Sequence, residues 1–437
     1  MLSVIRKHDL TILLTLYFFL LPMGKTLWYP LLVMAIIGGV LFYQEIRVSR
    51  SIETGTRWLL IGGSFVFIPA LTSLITSVDL ARTSTFLISY PLFYLSGYFL
   101  YKRLSQGVSI TPAVTGITII VIAWGVLSIW QYLDPNNPFG PGGSHNQGIH
   151  TRDNQFVDGG LMLGVILGSL LGFLCFAIWQ NGYRAGSIML GVFIIGLIFI
   201  SGTRSAWLSA IVTIFAIPVI ALIKGLKPSK KAFFGLVVIC LSVIASGYAL
   251  VQLPGLNVKL NQTFVFLNNP TRAGFDAALS GRLDIWEDAI SLGMEQPITG
   301  FGVNNYRYAV PELEVIKGAR WLSQEQQDDG SMRARGASHT HQIFMEAFSG
   351  AGTLGVLGLV GLFIFLGRTS IKVAKAGSII AAGALIALWA GFFPLNTHNN
   401  LYGGWMSAWF WVWMGISAGL IFPKLKSSQS KVLIQLD

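Results

Sequence analysis

The chain has 437 residues, 53% of them hydrophobic and only 11% charged, with a formal net charge of +11. A soluble globular domain carries about 25% charged residues, so this composition excludes one and belongs to an integral membrane protein. Its two cysteines, Cys175 and Cys240, both lie in apolar runs, which excludes a disulfide framework and a thiolate metal site.

Taken in chain order, twelve segments approach the roughly 20 apolar residues needed to cross a bilayer: 10–22, 27–43, 57–76, 85–101, 113–133, 159–180, 185–201, 205–223, 232–251, 343–366, 377–395 and 401–422. The first is short, but no small-residue cleavage site precedes Lys25, so it reads as an anchor and not as a cleavable signal. With the N-terminus in the cytoplasm, the loops on that side hold eighteen of the 30 basic residues, including Arg47, Arg50, Lys102, Arg103, Lys227 and Lys375. The short loops on the other side hold Lys25, Arg82, Arg152 and Arg204. This asymmetry sets orientation, and twelve spans with both termini cytoplasmic satisfy it. The fold class expected is an all-α polytopic membrane protein with one large extracytoplasmic loop. It divides into a nine-helix region at 1–251, the loop at 252–341, and a three-helix region with a cytoplasmic tail at 342–437.

Two outer segments could carry chemistry. The first, 134–158, is rich in proline and glycine and offers His145, His150 and Arg152. The second is the large loop, whose eight basic and ten acidic residues nearly balance, so its individual arginines matter more than its net charge. Within it Leu283, Trp286, Ala289 and Ile290 recur with helical spacing and predict an amphipathic helix near 281–295. Ser280 is placed to cap it and Pro297 follows its end. Arg282 then falls in the first turn, where the helix dipole favours an anion. It is either a solvated arginine or one that shares an anion with the helix N–H groups.

Arg204 stands at the outer junction of two apolar spans with almost no loop between them. A charge at that depth either snorkels to headgroups or faces a cavity that takes an anionic group. His339 and His341 sit where the large loop re-enters the bilayer. A metal would need a third ligand at matching spacing, and none is evident, so a general base fits better.

These residues carry a resemblance. His341-Gln342, then nine residues from Ile343 to Ala351, then Gly352-Thr353-Leu354-Gly355 is similar to the pattern of the bacterial O-antigen ligase and O-antigen polymerase superfamily. Gly202-Thr203-Arg204-Ser205, Ser280-Gly281-Arg282 and Pro297-Ile298-Thr299-Gly300-Phe301-Gly302 match further family features, the ligases most closely. The resemblance implies a GT-C-like glycosyltransferase of the inner membrane with its active site facing the periplasm. It implies an undecaprenyl-diphosphate-linked glycan as donor, a lipid A-core sugar as acceptor, no metal or other cofactor, and no nucleic-acid partner. Arg204 and Arg282 would hold the diphosphate, with Arg152 as a third ligand. His341 would be the base and His339 its neighbour or rival, with Asn305 and Tyr306 as sugar contacts. A polymerase or a protein O-oligosaccharyltransferase would share this scaffold, differing in acceptor. A lipid or sugar transporter is the alternative from another class; its charges should line a path at mid-depth, whereas these gather at one face.

Overall fold

The computed structural model describes residues 2–21, 26–49, 51–133, 160–201, 203–223, 254–317, 323–326, 332–395 and 400–423. Eight helices lead to the large loop: α1 (Leu2–Leu20), α2 (Trp28–Gln44), α3 (Thr54–Thr72), α4 (Leu80–Ser105), α5 (Thr111–Leu133), α6 (Gly160–Gln180), α7 (Arg184–Ile200) and α8 (Arg204–Ile223). The loop contains α9 (Pro254–Asn268), α10 (Arg272–Ala278), α11 (Leu283–Glu295) and α12 (Tyr306–Lys317), then strands β1 (Ser323–Gln326) and β2 (Met332–Arg335). Three helices follow: α13 (Ile343–Ala376), α14 (Ile379–Phe392) and α15 (Gly404–Ile421).

Eleven of the twelve apolar segments are therefore helical; the remaining one, 232–251, lies outside the described residues. Among the described residues four helical stretches are long and apolar enough to cross a membrane: Trp28–Val48, Thr54–Thr76, Thr111–Trp130 and Ile343–Ala376. Shorter apolar helices such as Gly164–Gln180 and Ile379–Phe392 accompany them. The protein is a helical membrane protein. One departure from an all-α fold is the antiparallel pairing of β1 with β2, Ser323 opposite Arg335.

Successive apolar helices run up and down, so the turns collect at two ends. At one end Lys102 lies between Glu45 at 2.6 Å and Glu53 at 2.8 Å, and Arg103 pairs with Asp9. Tyr98 and Tyr101 donate to the same two glutamates, so these buried charges are paired and hydrogen-bonded, as burial requires. In the bundle α4 packs on α2 and α15. A Cβ on Gly415 would collide with the backbone of Gly97, so these two glycines let α15 and α4 approach at backbone distance, the usual device where lipid supplies no hydrophobic drive.

The other end carries the large loop. Thr76 donates to the Gly300 carbonyl at 2.5 Å, and Val78 N–H donates to the Phe301 carbonyl at 3.1 Å. The loop has a small core of Ile285, Ala289, Leu292, Tyr306, Ala309, Val310 and Ala337, completed by Val78 of the α3–α4 turn and Met345 of α13. Bundle residues thus finish the loop's core.

The helix α13 is broken at Gly352, whose φ of 62° and ψ of −156° are not helical. Only glycine enters that region readily. The break releases backbone groups: Thr353 N–H donates to the Pro297 carbonyl at 2.8 Å, and Phe301 N–H donates to the Ser349 carbonyl at 2.9 Å. The nine-residue spacing before Gly352 is thus the length of a half-helix, and the glycine fastens segment 297–301 against its end. A Cβ on Gly352 would strike the Ile298 backbone. We expect Gly352→Ala to destabilise the protein by at least about 2 kcal/mol, from backbone strain of about 1–3 and overpacking of about 1–3 kcal/mol. Thermal denaturation in detergent reads this directly; an unaltered melting temperature would show that the break is not required.

Candidate functional site

α8 begins at Arg204, one of whose Nη1 hydrogen bonds goes to the Ala278 carbonyl and another to Ser280 Oγ at 3.1 Å; Nη2 reaches Gln262 Oε1 at 3.5 Å. The bundle arginine is thereby held under the α10–α11 turn. Ser280 has φ of 63° and Gly281 φ of 74°, a left-handed pair that turns the chain sharply and sets Arg282 beside Arg204. Burial, and then the Arg204 charge, pull the Arg282 guanidinium below its ordinary range. Two cations held together at a cost are suited to an anion of more than one charge.

The helix predicted near 281–295 begins at Leu283, with Arg282 in the N-cap position and no side-chain cap of its own. Ser280 is not the cap; its hydroxyl is turned to Arg204, and Asp276 Oδ1 accepts the Leu283 N–H at 3.0 Å instead. The buried stripe is Ile285, Ala289 and Leu292, while Ile290 is exposed. This happens because the partner surface is α13, which takes the side of α11 containing Gly293 against Phe348. Carboxylates Asp284 and Glu287 on α11 bond Arg272 at 2.7 and 2.9 Å.

The histidine corner is tied from three sides. Trp286 Nε1 donates to the Thr340 carbonyl at 3.0 Å, and Glu346 Oε2 accepts the Thr340 N–H at 2.9 Å. Gln342 caps α13, its Oε1 accepting from Met345 N–H at 2.7 Å, while its Nε2 donates to the Pro394 carbonyl at 2.9 Å. The residue after the histidine is therefore the N-cap of α13. His341 itself has φ of 56°, a strained value for a non-glycine residue, of a kind that gathers at functional sites. Its ring lies 4.0 Å, centroid to centroid, from that of His339.

His339 bonds Ser338 Oγ through Nδ1 at 3.0 Å. Burial, then Arg282, then Arg307 lower its pKa to about 4. The structure thus joins Arg282 to the histidine pair and adds Arg307, which the sequence reading did not single out. Arg307 lies on α12, and its carbonyl accepts the Gly336 N–H at 2.8 Å, three residues before His339. No spacing rule reveals such a cross-loop bond, so no sequence signal pointed to it.

The unfolded value of a histidine is about 6.5, so folding holds His339 neutral. Its contribution is full above that value and is lost as pH falls from about 6.5 through about 4. Thermal melting across that range should fall more steeply in the wild type than in His339→Asn; equal slopes would show that His339 is not the group responsible.

Two other residues named from the sequence have structural engagements. Asn305 is fully buried, and its Nδ2 donates to Ser77 Oγ at 2.7 Å and to the Asp79 carbonyl and Thr83 Oγ1 at 3.1 Å each. Tyr306 is 3% exposed and donates to the Ile285 carbonyl at 2.9 Å. The one amide sews the loop to the α3–α4 turn; the phenol joins α12 to α11. Arg152, His145 and His150 lie outside the described residues.

Arginines and a histidine pair thus converge at the seam between one end of the helical bundle and a long loop. Residues 189–360 match the family model described as O-antigen ligase. The matched stretch contains Arg204, Arg282, Arg307, His339 and His341. Comparison with curated proteins gives no significant match.

Proposed function

We propose that the protein is an inverting, metal-independent glycosyltransferase that moves O-antigen glycan from undecaprenyl diphosphate to a sugar hydroxyl of lipid A-core. On this reading it is a GT-C-like enzyme of the bacterial inner membrane, with its site facing the periplasm and both termini in the cytoplasm. The observation that carries the reading is the pairing of Arg204 and Arg282 beside the His339–His341 corner. Two neighbouring cations suit a diphosphate, and a histidine close to them suits a proton acceptor, which supports the reading.

In the reaction His341 takes the proton of the acceptor hydroxyl as its oxygen attacks the donor's anomeric carbon. The bond from that carbon to the diphosphate oxygen breaks, its electron pair leaves with undecaprenyl diphosphate, and the configuration inverts. Arg204 and Arg282 face the charge that grows on the leaving group, where preorganised donors lower a barrier most. Guanidinium groups fill the role a divalent cation has at many diphosphate sites, and their charges repel one.

Burial, then Arg282 and Arg307, depress His339 and make it a poor base near neutral pH. That favours His341 as the base. The decisive experiment offers purified protein a lipid-diphosphate glycan with three acceptors in turn, each with chelator present. Conjugate on lipid A-core is the expected result. Product on a second lipid-linked glycan alone would identify a polymerase, and product on a Ser/Thr peptide alone a protein transferase.

A further inference from the structure

The donor assignment uses two guanidiniums and one imidazole, and the site holds more. Arg307 and His339 are left over, and they share a feature. Arg307 Nε and His339 Nε2 are both buried, and neither has a hydrogen-bond partner among the described residues. A buried polar atom left unmet costs free energy, and a charged one costs more.

Neighbouring polar groups do not relieve them. The adjacent Tyr308 hydroxyl accepts from Arg82 Nη2 at 2.5 Å, and the Arg82 guanidinium stacks 4.3 Å from the Tyr308 ring. Tyr306 is committed to the Ile285 carbonyl. Glu346, the carboxylate at the corner, accepts from the Thr340 backbone. His339 uses Nδ1 on Ser338.

Position separates this pair from the donor arginines. Arg204 comes from the bundle and Arg282 from the α10–α11 turn, whereas Arg307 comes from α12 and reaches the corner through the Gly336 to Arg307 backbone bond. Both Arg282 and Arg307 bear on His339, and they come to it from different elements of the loop. A diphosphate held by Arg204 and Arg282 leaves the Arg307 side of the corner for the other substrate.

We propose that Arg307 and His339 form an acceptor subsite for an anionic substituent, a phosphate ester or a carboxylate carried on the acceptor glycan. The proposal rests on the reading of Arg204 and Arg282 as the donor's holders. Arg307 supplies the charge and His339 a ring nitrogen as hydrogen-bond donor, and together they orient the acceptor so that its hydroxyl meets His341. A neutral acceptor lacks this anchor, so the enzyme discriminates by a charge other than that of the reacting groups.

The test compares kcat/KM for core oligosaccharide acceptors in three forms, each with the same lipid-diphosphate glycan donor. One bears a phosphate ester, one has had it removed by phosphatase, and one bears a uronic acid in its place. Wild type should prefer an anionic form over the neutral one, and the arm preferred identifies phosphate or carboxylate as the ligand. In Arg307→Gln that preference ratio should fall about tenfold or more, equivalent to about 1.4 kcal/mol. Arg307→Lys should keep part of it, and melting curves of both variants establish that they fold.

No preference in the wild type overturns the proposal, as does an equal loss with charged and neutral acceptors. A loss traced to a raised donor KM would also overturn it, by placing Arg307 on the diphosphate. Failure of the underlying reading looks different: the wild type then transfers glycan to no acceptor of any form.

Discussion

His341→Asn is expected to lower the rate of glycan transfer by about 10²–10⁴-fold, the range in which a positioned general base contributes. Asparagine is chosen because His341 sits at φ of 56° and Asn tolerates that backbone region where most residues do not. The backbone of the corner is held by Trp286, Glu346 and Gln342, so the variant should fold, and its melting curve checks this. Single-turnover rates with saturating donor separate loss of the base from loss of binding. His339→Asn is the comparison at saturating acceptor: its ring lies against that of His341, yet its depressed pKa makes it a poor base, so its loss should be the smaller one. A full rate in His341→Asn with a collapsed rate in His339→Asn would exchange the two roles.

The parts of this molecule legible in its sequence were those set by local composition and short-range spacing. Apolar runs showed where helices lie, because the bilayer demands about 20 such residues and an internally satisfied backbone. The His341-Gln342 to Gly352 interval was visible as a motif, while its meaning, a capped half-helix ending in a break that grips 297–301, required the structure. Ser280 looked like a cap because it precedes an apolar stripe, but Arg204 arrives from 76 residues away and takes its hydroxyl, leaving Asp276 to cap from outside the helix. The resemblance implies Asn305 and Tyr306 as sugar contacts; in the structure Asn305 Nδ2 binds the loop to the bundle and the Tyr306 hydroxyl binds α12 to α11. Arg307 escaped notice. Long-range convergence is written in packing, and the buried face of a loop helix turns toward whichever partner the bundle presents.

Arg204→Gln and Arg282→Gln should each lower kcat about 10²–10³-fold, the usual loss when one preorganised donor to a developing charge is removed. Together they should cost less than the product of the two. Burial and the neighbouring Arg204 charge both disfavour the Arg282 cation, so removing Arg204 relieves repulsion that Arg282 otherwise bears. The double variant loses one shared anion site and not two independent ones. The signature is a positive coupling in the double-mutant cycle, read from kcat with donor saturating, accompanied by weaker binding of undecaprenyl diphosphate as product. Arg204 carries a second obligation, since its bonds to Ala278 and Ser280 hold the turn that presents Arg282. Arg204→Lys tests this: it restores charge without the fork that reaches both acceptors, so it should recover less activity than Arg282→Lys does. Equal rescue by the two lysines would reduce Arg204 to a point charge, and strictly multiplicative losses in the glutamine cycle would place the two arginines on separate groups of the substrate.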